Sequence, residues 1–420
     1  MDKSLSPTSN NSLSGKHYMV LLAAFLGWMF DGFEQGLFPV VARPALQDMF
    51  TGTGNVDAYV GHWMGIITAL FLVGAALGGW VFGWLGDRVG RVRAMSMSIL
   101  AYSLFTGFGY FAQEPWHLGV CRFLAALGMG GEWSLGVALV MECWPEKLRP
   151  LMAGFIGAAA NFGFLLVGVM GKMIHITPDS WRWVWLVGTL PALLVFFIRL
   201  FVPESERWQE EAKKGPVEPL SEVFGPTLIK NTLIGIFIAS VALIGTWGSV
   251  QWLPLWVDQL VGKELPGAKG SVAMLCAFGA ICGCIVGPLV GGKIGRRPAY
   301  FLLCLLSLLS CQFLFRSEIP YGPLFQVMLF LVGFFTAAFY GWFPLYLPEL
   351  FPTRVRATGQ GVCFNTGRIF ASVASLLGGS LVGYFDGSYA KAGAVVTLIY
   401  VLGMFIIWLA PETKGKPLPD

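Results

Sequence analysis

The sequence predicts an all-α membrane protein of twelve transmembrane helices arranged as two pseudo-symmetric six-helix bundles. Three observations carry this prediction. Hydrophobic residues make up 55% of the 420 positions and charged residues 12%, about half the usual globular share of roughly 25%. Apolar runs of helix-spanning length recur along the chain, and motifs repeat at one nearly constant offset. So few charges could not cover the surface of a soluble protein, and disorder would need the opposite composition. A net charge of +4, evenly spread, gives no footprint for nucleic acid.

A helix crosses a bilayer core of about 30 Å with about 20 mostly apolar residues. Runs of that length fall near 18–41, 58–85, 94–112, 116–143, 149–174 and 181–202, then 229–258, 270–292, 299–315, 321–348, 357–384 and 389–410. Charge collects between them, at 86–93, 145–149, 203–230, 293–298, 352–356 and after Pro411. The Ser/Asn-rich residues 1–17 read as a cytoplasmic tail without a cleaved signal peptide. The eight cysteines lie in or beside apolar runs and imply no disulfide framework. Trp116, Trp181, Trp183, Trp185 and Trp208 sit at span ends and read as interface belts.

Lys and Arg set the sidedness. With a cytoplasmic N-terminus, inner segments hold 19 of the 28. Outer segments hold Arg43, Lys172, Arg182, Lys263, Lys269, Arg316 and Lys391, while Arg122 and Arg368 fall inside spans. Both ends are therefore expected inside. Glu142…Arg149 matches Glu349…Arg356 at an offset of 207, Gly90-Arg91 matches Gly295-Arg296 at 205, and Pro203-Glu-Ser matches Pro411-Glu-Thr at 208. The division that follows is a tail (1–17), one bundle (18–202), a polar linker (203–228), a second bundle (229–410) and a C-terminal tail (411–420). Parallel repeats enclosing a substrate path form a transporter architecture.

Gly83-Trp-Leu-Gly-Asp87-Arg88-Val-Gly90-Arg91 resembles the signature loop of the major facilitator superfamily. Arg122 with Gly128 and Gly130, Glu142…Arg149, Pro203-Glu-Ser-Glu-Arg207-Trp208 and Pro411-Glu-Thr-Lys-Gly415 are similar to further motifs of its sugar-porter branch. Asp31-Gly-Phe-Glu34 and Gly130-Gly-Glu132-Trp133 look more like the proton-coupled sialate, aromatic-acid and metabolite symporters. The paired glutamines of sugar porters are absent from the seventh span, where Gln251 stands alone. The second signature loop, Gly291–Arg297, lacks the acid of the first. The resemblance implies the major facilitator fold, alternating access, and a proton-coupling pair made by Asp31 and Arg122.

An ionisable group at the centre of a span costs about 2.5–3.5 kcal/mol on insertion scales, so it has a partner or a task. Asp31, Glu34, Arg122, Glu132 and Arg368 qualify. Asp31 lies about 20 Å along the first span, with Glu34 on the same face one turn further, and Arg122 comes at a similar depth. A carboxyl between low dielectric and a nearby cation can bind and release a proton. Static ion pairing is the plainer alternative for these groups, and Glu132 among its glycines reads either as a structural acceptor or as a further proton-coupling or substrate group. Arg368 lies near the midplane of the eleventh span, and the second half offers no deep acid to neutralise it. Its planar fork suits a carboxylate, which makes an anionic cargo its expected partner. Asn365, Gln251, Trp28, Asn161 and Tyr340 join it as candidate substrate contacts, with Thr366 near them. Asp87, Arg88, Arg91, Glu142, Arg149, Arg296, Glu349 and Arg356 at span ends read as a gate that holds the cytoplasmic side closed.

The function expected is a secondary transporter that takes up a small organic anion with protons. A sugar or polyol symporter and a proton-driven efflux carrier are the alternatives. No nucleotide loop is present, which argues against an ATP-driven pump in this chain. His17, His62, His117 and His175 lie in the tail or at span ends, so neither a buried base nor a metal cluster is expected, nor any cofactor. The expected partners are the solute, protons and lipid, with the chain working as a monomer. Short outer loops without glycosylation sequons suggest a bacterial inner membrane.

Overall fold

The computed structural model describes residues 13–420 apart from 53, 174–175, 262–263 and 266. Residues 1–12 of the expected tail, with Lys3, and also His175 and Lys263, lie outside the described residues. Every regular element among the described residues is helical. The first part of the chain forms α1 (Gly15–Asp48), α2 (Val56–Val89), α3 (Arg91–Phe108), α4 (Pro115–Met129), α5 (Glu132–Cys143), α6 (Arg149–Met173), α7 (Trp181–Val187) and α8 (Pro191–Phe201). Two short helices follow, α9 (Glu206–Ala212) and α10 (Pro219–Val223). The second part forms α11 (Ile229–Gly248), α12 (Leu253–Val261), α13 (Ala268–Ile294), α14 (Arg296–Arg316), α15 (Pro323–Tyr346), α16 (Arg356–Tyr384), α17 (Tyr389–Val396) and α18 (Ile399–Ile406).

Eight helical stretches among the described residues are long and apolar enough to cross a bilayer. α1 and α16, with 34 and 29 residues, have the length as well. Several expected spans are jointed. The fourth breaks at Gly130–Gly131 between α4 and α5, the sixth at 188–190 between α7 and α8, and the twelfth at 397–398 between α17 and α18. The segment 203–228 is packed: Ser205 caps α9 by accepting from Trp208 N at 3.2 Å, and Trp208 Nε1 donates to Asp87 O at 2.9 Å.

Within the first part α1 packs on α6 and α2 on α4. In the second, α11 packs on α16 and α13 on α15. The parts meet where α2 faces α16 and α6 faces α13. Two sharp corners open α3 and α14 in matching fashion. Gly90 (φ 112°) and Gly295 (φ 109°) occupy backbone that a side chain would strain.

The tryptophan expectation holds only in part. Trp116 and Trp183 are exposed, whereas Trp181 and Trp185 are fully buried. Trp181 Nε1 donates to Asp48 Oδ2 at 3.0 Å, tying α7 to the end of α1. A span-end position does not say which way a ring points.

Candidate functional site

The charged corner motifs gather on one face of the molecule, here the basic face, and four of the eight expected gate residues, Asp87, Arg91, Glu142 and Arg356, form a latch between the two parts. Asp87, at the end of α2, accepts from the backbone N–H of Ala357 (3.2 Å) and Thr358 (2.8 Å) and from Thr358 Oγ1 (2.5 Å). A carboxylate there satisfies open donors at the N-terminus of α16 and meets its positive dipole end. Arg91 is wholly buried. It donates to Asp87 Oδ1 at 2.6 Å, to Glu142 Oε1 at 3.0 Å and across the seam to Thr353 O at 2.6 Å. Arg356, from the second part, reaches the same Glu142 oxygen at 2.9 Å. One buried carboxyl thus holds two guanidinium groups from opposite sides.

The counterpart corner is built differently. Arg296 clasps Glu349 with two donors at 2.9 and 2.5 Å, and both residues belong to the second part. Where Asp87 would repeat, the chain has Gly292, and a Cβ there would press on Pro150. Pro150 has no N–H to offer an acid. With Leu151 where Thr358 would repeat, a cross-seam carboxylate would lose both the first N–H and the hydroxyl that Asp87 uses, and tight packing of glycine on proline takes its place. Arg149 and Arg88 stand outside the latch: Arg149 donates to Met141 O (2.9 Å) and to its neighbour Glu146 (3.2 Å), and Arg88 makes a surface pair with Glu218 (2.9 Å).

Two glutamates that sequence reasoning passed over complete the corners. Glu204 accepts from the N–H of Arg91 and Val92, each at 3.0 Å, and Glu412 accepts from the N–H of Arg296 (2.9 Å) and Arg297 (3.0 Å). Each caps the helix that its positive-φ glycine starts. The repeat of Pro-Glu-Ser as Pro-Glu-Thr was the signal. The two differ in proton affinity. Burial pushes the Glu204 carboxyl above the usual range despite its backbone donors. For Glu412 burial acts the same way but is outweighed by N–H groups of Arg296, Arg297, Lys414 and Thr413, so it sits below that range.

On the other side of the latch lies a cavity of about 270 Å³ between α1 and α6 of the first part and α11, α13, α15 and α16 of the second. Trp28, Asn161, Gln251, Tyr340 and Arg368 all line it, joined by Gln35, Thr246 and Trp247. Arg368 lies over the Phe364 ring, 5.5 Å from its centroid, donates to Asn365 Oδ1 at 3.3 Å, and makes no ion pair among the described residues. Asp31 is a charged group within its range, an acid from the first part standing where the second part has none.

Asn365 does not line the cavity. It is buried in the seam and donates to Gly361 O (2.9 Å) and Gly130 O (3.4 Å), against Gly79, where a Cβ would strike it. Its geometry is that of a fastener between α16 and the break in the fourth span. Thr366 is likewise absent from the lining.

The buried acids of the first part pair unexpectedly. Arg122 makes its ion pair with Glu34, whose Oε1 also accepts from Thr106 Oγ1 at 3.0 Å. Three aromatic rings surround the guanidinium, the nearest being Phe71 at 4.5 Å. Both oxygens of Asp31 and both of Glu132 have no hydrogen-bond partner, though each residue is at least 98% buried. The Asp31–Arg122 pair implied by resemblance is therefore replaced by Glu34–Arg122. Glu34, three residues on, presents a longer side chain to the same cation. Among the described residues no group of three His, Cys, Asp or Glu side chains could hold a metal.

The sequence profile of the Major Facilitator Superfamily matches residues 20–374. A probable 4-methylmuconolactone transporter of Cupriavidus pinatubonensis is 30% identical over 401 residues, covering 94% of this chain and 90% of that protein. The sialic acid transporter NanX of Escherichia coli is 28% identical over 368 residues, 87% of each. Among solved structures, the proton:xylose symporter XylE bound to 6-bromo-6-deoxy-D-glucose superposes with a TM-score of 0.76 at 18% identity. That match covers 96% of this chain and 97% of XylE, and it shows a shared fold.

Proposed function

The chain belongs to the major facilitator superfamily and is a membrane transporter rather than an enzyme, and from that premise we propose that it takes up a small organic anion together with protons. The carrying observation is Arg368, a buried guanidinium on the cavity wall without an ion pair among the described residues. An isolated cation at that depth calls for a counter-ion, and a carboxylate cargo supplies one. Asp31 lies within range of it and carries the coupling proton. When cargo neutralises Arg368, an ionised Asp31 loses its compensating charge and takes up a proton. When the anion leaves, the proton follows. Relatives named for an organic acid and a lactone of one support this class.

The twelve spans divide into halves at 18–202 and 229–410, with 203–228 between them, and a single chain suffices for transport. The latch then belongs to the cytoplasmic side of a bacterial inner membrane, with both termini on that side. In this conformation the latch is shut, and the cavity belongs to the opposite side. A proton crossing 100 mV releases about 2.3 kcal/mol. A monoanion moving with one proton carries no net charge, so the pH difference alone drives it.

Gln35, Asn161 and Gln251 favour a second reading, since their carboxamides could serve a sugar or polyol. A thermal-shift screen of aromatic, sialic, sugar and short-chain acids beside neutral sugars separates the two. With a hit in hand, reconstituted Asp31→Asn protein is expected to exchange substrate across the vesicle membrane but not to concentrate it under a pH difference. Normal uphill uptake by that variant would overturn the proposal.

A further inference from the structure

Asp31 and Glu132 are both stripped of partners, but their surroundings differ. The charged groups in range of Asp31 are Glu132, Arg368 and Glu34, so one cation faces it. Glu132 faces none that compensates it: Arg122 is taken by Glu34, Arg91 and Arg356 are held in the latch by Glu142, and Arg368 has Asp31 in its range. The carboxyl of Glu132 lies against Gly27, where a Cβ would collide with Oε1. Gly27 is one helical turn before Asp31 on the same face. The Tyr102 hydroxyl, fully buried and also without a partner, is within range of Glu132, Asp31 and Glu34. These buried polar groups come from α1, α3 and the start of α5 after the α4–α5 break.

Three acids and two guanidinium groups share this interior. Glu34 balances Arg122, and Asp31 stands opposite Arg368. Glu132 is the acid left over. The N-terminus of α5, where Glu132 sits, offers only a partial charge. Neither Glu132 oxygen accepts from a backbone N–H there. A buried, unpaired carboxylate neutralises itself by binding a proton. We propose that Glu132 is a second proton site, filled by a resident proton while the latch is shut, and that Asp31 alone takes up the proton that follows the anion. Glu34 is then a fixed counter-ion that holds no transported proton. The Asp31 half of this assignment rests on the anion-uptake reading, whereas the Glu132 half stands without it.

Infrared spectroscopy of the full chain in lipid nanodiscs at pH 7.5 tests this by the carbonyl stretch of a protonated carboxyl, with no substrate added. One such band is expected. It should move when glutamate is carbon-13 labelled, stay put when aspartate is labelled, and vanish in Glu132→Gln. If that variant does not fold, the wild-type labelling result and Glu132→Asp, whose band must answer to labelled aspartate instead of labelled glutamate, decide the matter. Absence of the band, a shift only with labelled aspartate, or survival in folded Glu132→Gln overturns the inference. Adding benzoate as a probe anion is expected to raise a second band that responds to aspartate labelling and is missing in Asp31→Asn. If the first band behaves as stated and the second never appears, the role given to Asp31 fails while that of Glu132 holds.

Discussion

Arg122 and Glu34 form an ion pair inside the first part of the molecule, and Asp31, one turn earlier on the same helix, is left outside it. The pair is enclosed by aromatic rings. Removing one partner of a buried pair strands the other charge, at a cost of about 3–5 kcal/mol. Glu34→Ala and Arg122→Ala are each expected to lower the melting temperature of the purified protein clearly. Asp31→Asn removes an acid that makes no ion pair or hydrogen bond and should lower it less than either. Differential scanning fluorimetry in detergent reads all three, and a stable Glu34→Ala would show that the pair is dispensable.

Arg368 should decide between charged and neutral cargo. A hydrogen bond to a charged group contributes about 1.5–3 kcal/mol, or roughly 10- to 150-fold in affinity for one contact. Arg368→Ala is expected to weaken binding of the best anion in a ligand screen by at least the lower figure. It should leave the uncharged amide of the same acid nearly unaffected. Calorimetric titration of both ligands measures the difference, and equal losses would point to a packing role for this side chain.

Glu412 and Glu204 hold equivalent caps with opposite proton affinities, so their mutants should respond differently to pH. Glu412 lies below the usual carboxylate range because backbone N–H groups outweigh its burial. Its stabilisation is therefore complete above the unfolded-state value and fades as pH falls through the folded one. Glu204 is raised by burial, so its ionisation opposes folding as pH rises through that window. Glu412→Gln is expected to lower the melting temperature at pH 7.5, with the deficit shrinking towards pH 4. Glu204→Gln should show no such narrowing. Parallel melts across that range test the pair, and identical pH profiles for the two variants would sink the contrast.

Most of this was legible because membrane chemistry leaves few choices. Long apolar runs must be helices, and charges buried within them must be answered. Arg368, Asp31 and the corner motifs stood out for that reason. Pairing was not legible. Asp31, Glu34 and Glu132 all lie in reach of α4, and no spacing rule says which acid Arg122 selects. Asn365 was assigned to the cavity by its nearness to Arg368 in sequence, yet three residues along a helix place it in the seam, against Gly79. Trp181 and Trp185 went the same way. The break at Gly130–Gly131 was visible as two glycines, but their packing role hid it.

Glu142 is the residue on which the closed latch turns. Its Oε1 accepts from Arg91 at 3.0 Å and from Arg356 at 2.9 Å, one from each side of the seam, and all three side chains are fully buried. With Glu142→Gln the two guanidinium groups face each other, with Asp87 and Glu204 still close to Arg91 but, among the described residues, no other acid paired with Arg356. Their repulsion is relieved only if the parts separate on the basic face and water enters. Loss of a buried pair at about 3–5 kcal/mol exceeds what is needed to move a two-state balance a hundredfold, at 1.4 kcal/mol per factor of ten. The variant is therefore expected to populate the conformation open on that face. Spin labels at Arg93 and Lys293, both exposed there, would report it as a longer distance population by pulsed electron resonance. Arg356→Gln, which removes the second cation and leaves Glu142 paired with Arg91, should open the latch less than Glu142→Gln. Equal distance distributions in wild type and Glu142→Gln would mean that Asp87, docked on the N-terminus of α16, and the Arg91 bond to Thr353 O hold the seam without Glu142.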